Sequence, residues 1–195
     1  MVHKMNFIKE FKPETIAESL YKDLLEKRII YLNEDITDSI IDIVAMPILI
    51  INEIEKDIPI EKLKPLTIYI NSYGGSVEIC SYLIEVIENS RVPIHCRVLS
   101  IAASAALYMT IACHKRFASK NSILLLHKGS IQIQGNMGEA EDIMDFYKEE
   151  IGSLFDDLIV RRTKITKEEL KKIRRKETYC LGEKALELGF VDEIV

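Results

Sequence analysis

The stretch SIAASAALYMTIAC, residues 100–113, is almost wholly apolar and is built largely from small residues. It is too short to cross a bilayer, so it predicts a buried helix that neighbouring elements approach closely. Ser104 stands at the head of this helix, flanked on each side by two alanines. A serine in that position is more often an N-cap than a nucleophile, and this stretch alone favours the cap.

Composition limits the kind of protein that this chain forms. It has 195 residues, of which 48% are hydrophobic, and a net charge of −5. This is enough for one globular domain with a sizeable core, and the charge argues against nucleic acid or anionic membranes as partners. The sequence lacks a transmembrane run, a signal peptide core and a CxxC pair, so we expect a cytoplasmic protein with reduced thiols.

The segments before the alanine-rich stretch predict a β-α-β unit. LTIYIN, residues 66–71, is an apolar strand, SYGG, residues 72–75, is a tight turn, and apolar residues from 77 to 87 recur at helical spacing. PIHCRVL, residues 93–99, is the next strand. This succession is typical of α/β folds with a largely parallel sheet.

The rest of the chain continues the alternation of strands and helices. Periodicity predicts strands at 28–35, 116–118, 122–126 and 190–195, an exposed strand or hairpin arm at 129–136, and helices at 14–27, 37–51, 137–162, 164–173 and 182–189. Pro47 should kink or interrupt the second of these helices, because proline lacks a backbone donor. Thr166 and Glu169 predict a capping box, and Gly189 predicts a helix end.

Three separate features suit acyl transfer to a serine. The glycine turn in NSYGG presents free backbone N–H groups next to a helix start, where an oxyanion or a phosphate would be stabilised. His127 closes the apolar strand SILLL, at the sheet edge that carries functional groups, so it is the best-placed general base. Each feature also has a plainer interpretation, as turn chemistry or as a structural histidine. Together with Ser104, however, they form the parts of one chemistry.

Other kinds of site find little support in the sequence. It contains no GxGxxG or GxxxxGK[ST], no HExxH or Cys/His cluster, and no GxSxG. Nucleotide binding, a metal site and an α/β-hydrolase are therefore not predicted. The chain has 31 acidic residues, so spacing alone cannot choose the acid that would orient His127.

Five segments together resemble one family, the Clp peptidases, which are the proteolytic subunits of the Clp protease. They are YKDLLEKRIIYLNEDI, IYINSYGGSV, SIAASAALYM, ILLLHKGS and GEKALELGFVDEI, and the resemblance runs from about residue 20 to the C-terminus. The second segment is similar to the family's oxyanion turn, the third to its nucleophile motif and the fourth to its histidine motif. The order and spacing of these motifs make the resemblance specific.

The resemblance implies roles for five residues. Ser104 matches the nucleophile, His127 the general base, and Gly75 and Ala105 the positions whose backbone N–H groups form the oxyanion hole. Glu177 matches the position of the family's triad aspartate, and a glutamate is chemically able to hold the imidazole tautomer. No cofactor and no metal is implied, since ATP enters only through a partner unfoldase.

The resemblance also implies an architecture and an assembly. The expected fold is the α/β fold of Clp peptidases and crotonases, with repeated β-β-α units around a mainly parallel sheet. An N-terminal arm at 1–19 would precede a peptidase domain at 20–195, whose handle, a strand plus a long helix, occupies about 128–162. Two stacked heptameric rings, a tetradecamer, would enclose the sites and cleave unfolded polypeptides, with an AAA-type unfoldase as a candidate partner. Neither nucleic acid nor a membrane is expected as a partner.

Some positions depart from the family's usual pattern and keep two alternatives open. Tyr73 replaces a proline, Lys128 and Gly129 replace Gln-Pro, and the N-terminal arm does not look like the family's axial loop, which indicates a divergent member. Because Glu177 stands in place of an aspartate, one alternative is a catalytically weak or inactive ring subunit that supports a partner protease. The second alternative is a crotonase-type acyl-CoA enzyme, which shares the general architecture but leaves Ser104 without a role.

Overall fold

A computed structural model describes residues 12, 15–127, 129 and 136–195 of the chain. Within these ranges, strands alternate with helices, as the sequence predicts. The strands are β1 Ile29–Leu32, β2 Leu66–Ser72, β3 Ile94–Ala103, β4 Lys115–Ala118, β5 Ile123–Leu126, β6 Thr178–Leu181 and β7 Glu193–Ile194. The α-helices are α1 Ile16–Glu26, α2 Met46–Ile54, α3 Val77–Glu88, α4 Ala105–Ala112, α5 Met137–Phe146, α6 Gly152–Arg162, α7 Lys167–Ile173 and α8 Gly182–Leu188. Short helical turns of other types lie at Ile41–Ala45, Ile60–Lys62 and Tyr147–Ile151.

One mainly parallel sheet organises the fold. Its main path runs β1-β2-β3-β4-β7, and every pair of neighbours on that path is parallel. The long strand β3 pairs with β4 through its first half and with β5 through its second half. Among the strands of the described residues, only β6 is antiparallel, and it pairs with β5. The predicted α/β fold with a largely parallel sheet is confirmed.

The alanine-rich stretch differs from its prediction at its start. Residues 100–103 are not helical: β3 continues to Ala103, and α4 begins only at Ala105. The strand extends because Ile101–Ala103 find partners in β5, at Ile123, Leu124 and Leu125. The helix that follows is buried at all its residues, as predicted, and packs between α3 and α6.

Pro47 changes the type of helix around it and does not interrupt the helix. A π-helical turn at Ile41–Ala45 runs directly into α2, so that Pro47 lies in the first turn of α2. The N–H of Met46 still donates to the carbonyl oxygen of Ile41 in the π pattern, and Pro47, which has no N–H, is the next residue, after which the helix continues in α geometry. The prediction of an interruption is therefore wrong, and the helix instead changes from π to α geometry at Pro47.

The long helix predicted at 137–162 is present and contains a second π-helical turn. Helix α5, the turn Tyr147–Ile151 and α6 follow one another without a loop. In α6, Phe155, Leu158 and Ile159 are buried in the core, whereas α5 has no buried residue. The strand or hairpin arm predicted before this helix lies almost entirely outside the described residues.

The sequence also led to predictions for two helix ends, for the N-terminal boundary and for the cysteines. The capping box of Thr166 and Glu169 is formed, and Gly189 ends α8 in the left-handed conformation, with φ 76°. The boundary placed between residues 19 and 20 falls inside α1, and most of the predicted arm lies outside the described residues. All four cysteines are buried and unbridged.

An ion pair between a buried arginine and a partly exposed aspartate links the C-terminal segment to the sheet. Arg116, in β4, is only 8% exposed, and its Nε donates to Asp192 Oδ2 at 3.1 Å. Its guanidinium also donates to the carbonyl oxygens of Arg162 at 2.9 Å and Gly189 at 3.0 Å. Burial would raise the pKa of Asp192, but the hydrogen bonds and charge of Arg116 outweigh it and hold that pKa below its usual value. Arg116 thus links β4 to the ends of α6 and α8.

We predict that Asp192→Asn lowers the free energy of unfolding at pH 7 by roughly 1–2 kcal/mol, because it leaves the buried Arg116 guanidinium without its counter-charge, while solvent at the 35% exposed Asp192 side chain screens part of the loss. The pKa of Asp192 is lower in the folded than in the unfolded chain, so the contribution of its carboxylate is complete above about pH 4 and is lost as the pH falls further. Urea denaturation at pH 7 and at pH 3 measures the free energy of unfolding of wild type and variant. The difference between the two proteins should be smaller at pH 3. Asp145→Asn, in the exposed helix α5, is the control, and a difference that is independent of pH would contradict the prediction.

Candidate active site

A cavity of about 660 Å³ opens where the carboxyl ends of the central strands meet the long helix. Four of the five residues implied by the resemblance line it: Gly75, Ser104, Ala105 and His127. These residues lie far apart in the sequence, and the parallel pairing of β2, β3 and β5 brings them to one edge of the sheet. A cavity with several convergent polar groups at this edge is where open α/β sheets place their ligands.

Ser104 joins β3 directly to α4 in a strained backbone conformation. Its φ is 54° and its ψ is −125°, values that non-glycine residues rarely adopt. Its N–H donates to the carbonyl oxygen of Leu125 in β5 at 3.0 Å, and its own carbonyl accepts from Leu107 at 2.9 Å. The side chain makes no capping hydrogen bond to the helix, so the interpretation of Ser104 as a conventional N-cap is wrong. Ser104 instead lines the cavity.

The glycine turn lies directly against this serine. A Cβ at Gly74 would stand 2.7 Å from the carbonyl oxygen of Ala103 and 2.8 Å from the Cβ of Ser104. A Cβ at Gly75 would stand 2.3 Å from the carbonyl oxygen of Ile36, which accepts from the N–H of Ser76 at 2.8 Å. Positive φ values of 103° and 149° complete the requirement for glycine at both positions.

Two backbone N–H groups at the cavity have no acceptor among the described residues. The N–H of Ala105 is the first in α4, where the helix itself provides no partner, and the N–H of Gly75 follows the hydrogen-bonded Gly74 in the turn. Because the turn packs against the amide nitrogen of Ala105, with a Cβ at Gly74 only 3.0 Å from it, the two segments form one wall. Such a pair of amides is suited to an oxyanion.

His127 reaches the cavity because β5 is parallel to β3. The register Ala103↔Leu125 sets the end of β5 beside Ser104, and His127 follows β5 immediately. The ring is half-buried at the cavity wall. A histidine in this place is able to act as a general base towards Ser104.

Glu177 directly precedes β6, and its carboxylate is not directed at His127. The last antiparallel pair of β5 and β6 is Leu126↔Thr178, so a register continued by one more residue would set Glu177 opposite His127. Its Oε2 accepts a hydrogen bond from the hydroxyl of Tyr179 at 3.2 Å. Glu177 is exposed and is not among the described residues that line the cavity.

Most of the other residues that line the cavity were not predicted from the sequence. The long helix contributes Met144, Tyr147, Ile151 and Phe155, which belong to its apolar stripe and gave no signal beyond helical spacing. Arg174, at the end of α7, lines the same cavity and contacts Tyr108 of α4 at 3.2 Å. No pattern in the sequence connects Arg174 with the alanine-rich stretch, because the contact depends on the tertiary fold.

The carboxylate of Glu78, in the first turn of α3, lies at the cavity and is fixed by two hydrogen bonds. The hydroxyl of Tyr147 donates to its Oε1, and the hydroxyl of Ser76 donates to its Oε2 at 2.7 Å. These two hydrogen bonds hold the pKa of Glu78 below its usual value. Glu78 therefore enters the cavity as a charged group whose oxygens are already engaged.

Within the described ranges, no group of His, Cys, Asp and Glu side chains is arranged to hold a metal ion. Nor does any helix in that part of the chain combine the length and the apolar character that a membrane crossing requires.

Comparison with known proteins matches residues 12–195 to the family model described as Clp protease. The chain belongs to the Clp protease family. One relative, the ATP-dependent Clp protease proteolytic subunit 1 of Cutibacterium acnes, is 29% identical over 179 residues, which are 90% of this chain and 80% of the relative. Proteolytic subunit 2 of Leifsonia xyli subsp. xyli is 28% identical over 180 residues, 90% of this chain and 77% of that protein. Proteolytic subunit 3 of Frankia casuarinae is 28% identical over 177 residues, covering 90% and 80% respectively.

Family membership supports a peptidase and confirms the resemblance seen in the sequence. It leaves the crotonase-type alternative without support of its own. The match begins at residue 12, ahead of the residue 20 from which the resemblance was apparent.

We predict that Gly74→Ala strongly impairs the site, because the added Cβ and the positive φ both force the turn away from Ser104. A displacement of about 1 Å at such a site costs on the order of 100-fold in rate, and we expect a loss of that size in labelling by a serine-reactive fluorophosphonate. Gly138→Ala in α5 is the matched control, since its Cβ would meet nothing closer than 3.6 Å. Equal labelling of both variants would show that the contact with Gly74 does not position Ser104.

Proposed function

We propose that this chain is a serine endopeptidase of the Clp type that cleaves unfolded polypeptides or peptides. The observation that carries the proposal is the convergence of a strained, uncapped Ser104, His127 and two unpaired backbone amides on one cavity. A strained backbone at a functional group is costly, by about 1–3 kcal/mol, and is typical of sites where geometry has been fixed for chemistry. The family's relatives, named proteolytic subunits, favour the same reaction.

The proposed reaction proceeds through an acyl-enzyme. The hydroxyl oxygen of Ser104 attacks the peptide carbonyl while His127 takes its proton, and the N–H groups of Gly75 and Ala105 stabilise the negative charge on the carbonyl oxygen. His127 then gives the proton to the leaving amine as the peptide bond breaks. Water, activated by the same histidine, attacks the ester and releases the acid product and the free serine.

Glu177 is the proposed acid that orients His127. Its support is the last pair of β5 and β6, Leu126↔Thr178, which lies one residue away from both His127 and Glu177. The carboxylate would have to leave the hydroxyl of Tyr179, and a glutamate has one more rotatable bond than an aspartate with which to do so. In its new position it would hold the imidazole in the tautomer that accepts the serine proton.

The proposed assembly is two stacked heptameric rings in the cytoplasm, with the sites inside. Its support is the long helix, whose α5 half leaves apolar side chains such as Met137 and Phe146 more than half exposed. A second copy of the chain would cover these side chains, as the handle of the family implies. An extended substrate would add as a strand beside the glycine turn through main-chain bonds, and an AAA-type unfoldase would deliver it.

A second candidate function is that of a weakly active or inactive ring subunit supporting a partner protease. The observation that favours it is the carboxylate of Glu177, which contacts Tyr179 and not His127 among the described residues. Without an oriented histidine, the serine would react slowly even with the oxyanion amides in place.

Labelling of the assembled protein by a fluorophosphonate tests the nucleophile. We expect a stable adduct on Ser104, no adduct in Ser104→Ala, and a rate lower by about 10⁴-fold in His127→Ala. Intact mass measured on the native particle reports both the adduct and the number of subunits. A fully assembled wild type that forms no adduct would reject the active peptidase and favour the supporting subunit.

A set of variants at the acid separates the two candidates further. If Glu177 orients His127, Glu177→Gln should lower kcat/KM for a fluorogenic peptide by about 10²–10⁴-fold, whereas Glu177→Asp should keep most of the activity. Tyr179→Phe removes the competing hydroxyl and should leave the rate equal or higher. Unchanged cleavage by Glu177→Gln would exclude Glu177 as the acid.

A further inference from the structure

A buried thiol joins the two helices that begin at the proposed oxyanion amides. Gly75 directly precedes Ser76, the N-cap of α3, and Ala105 is the first residue of α4. Cys80, one turn into α3, is fully buried, and its Sγ donates to the carbonyl oxygen of Ala105 at 3.1 Å. The thiol therefore contacts the same residue whose N–H is proposed for the oxyanion hole.

Short backbone connections tie Cys80 to Gly75. The N–H of Cys80 donates to the carbonyl oxygen of Ser76 at 3.1 Å, which closes the first turn of α3. Ile36 holds the glycine turn from its other side: its N–H donates to the carbonyl of Gly74 at 2.7 Å, and its own carbonyl accepts from the N–H of Ser76 at 2.8 Å. A shift of Gly75 relative to Cys80 would strain or break these bonds.

Ala105 lies between the glycine turn and Cys80. Beside its N–H, a Cβ at Gly74 would stand only 3.0 Å from the nitrogen. At its carbonyl, the thiol of Cys80 contacts the oxygen. Both contacts come from one unit, the glycine turn together with the first turn of α3, so the separation of the N–H groups of Gly75 and Ala105 depends on both.

The thiol of Cys80 is suited to hold a position and not to react. Burial raises the pKa of this thiol far above its usual value, and a backbone hydrogen bond of Met109 in α4 lowers it to a smaller extent. The thiol therefore keeps its proton at neutral pH and remains a donor. Because an S–H···O contact is weak, we expect it to affect the position of Ala105 more than the stability of the fold.

We propose that Cys80 is a positioning residue of the oxyanion hole, which fixes the carbonyl of Ala105 and thereby the separation of the N–H groups of Ala105 and Gly75. The inference rests on the proposed peptidase function. The two amides stabilise negative charge that develops on the substrate carbonyl oxygen, so their separation matters most in the transition state. Loss of the thiol should therefore lower kcat and leave KM unchanged.

Cys80→Ala tests this role in the assembled protein, with a fluorogenic peptide as substrate. We expect kcat to fall about tenfold while KM stays within about twofold of the wild-type value. The loss is smaller than the roughly 10²–10³-fold that removal of an oxyanion donor causes, because both amides remain.

Cys96→Ala is the matched control. Cys96, in β3, is also fully buried, and its Sγ donates to the carbonyl oxygen of Thr110, near the other end of α4, at 3.7 Å. The two substitutions remove the same atoms from the core, so the melting temperature should fall by similar amounts. We expect Cys80→Ala to lower kcat and Cys96→Ala to leave it unchanged.

Inhibition by a peptide boronic acid gives a second measurement, which does not depend on how much of the protein is folded. The oxygen of Ser104 forms a bond to boron as His127 takes the serine proton, and boron becomes tetrahedral and negatively charged, like the transition state. We expect the inhibition constant to rise about tenfold in Cys80→Ala, in parallel with the fall in kcat/KM, and to stay unchanged in Cys96→Ala.

The outcomes distinguish this inference from the function on which it rests. Equal kcat and equal inhibition constants for the two variants, with an active wild type, would overturn the role of Cys80 and leave the peptidase. The same holds if Cys80→Ala raises KM alone, or if it abolishes an assembly that Cys96→Ala keeps, since the residue would then serve substrate binding or the fold. A wild type that neither cleaves the peptide nor binds the boronic acid would overturn the proposed function and this inference together.

Discussion

The reversal of the chain at Ser104 is the constraint on which the rest of the site depends. The chain leaves β3 and enters α4 without a loop, and the positive φ of this one residue makes the turn. Three contacts hold it: the carbonyl oxygen of Leu125, the packing of α4 in the core and the close approach of Gly74. These contacts together offset the cost of the strained conformation, about 1–3 kcal/mol, so losing any of them would favour its relaxation.

Strand β5 connects the parts of the site although it has only four residues. Its parallel pairing with β3 brings the end of β5, and with it His127, towards Ser104, and its antiparallel pairing with β6 ends at Leu126↔Thr178, one residue from Glu177. Pairing in a sheet fixes backbone positions more tightly than side-chain directions. The proposed base and acid therefore flank one pair of strands, while the carboxylate of Glu177 accepts from Tyr179.

The sequence predicted those features that depend on local chemistry. The glycine turn, the capping box at Thr166, the burial of α4 and the alternation of strands and helices all follow from neighbouring residues. The helix predicted at 100–103 was wrong, because a short apolar run suits a buried strand as well as a buried helix, and only β5 decides between them. The backbone of Ser104 and the contact of Arg174 with Tyr108 depend on packing between distant segments, so no spacing in the sequence could predict them. Glu177 was identified by resemblance and not by spacing.

The π-helical turn at Tyr147–Ile151 has a consequence for how the long helix tolerates change in length. A π turn takes in one residue more than an α turn, and one residue corresponds to about 100° of rotation about the axis of an α-helix. The turn therefore sets the angular phase between α6, which faces the core and the cavity, and α5, which faces away from the core. Deleting a single residue here would rotate α5 about the helix axis relative to α6. The outward apolar side chains of α5 would then face a different direction, while the core packing of α6 stayed in place.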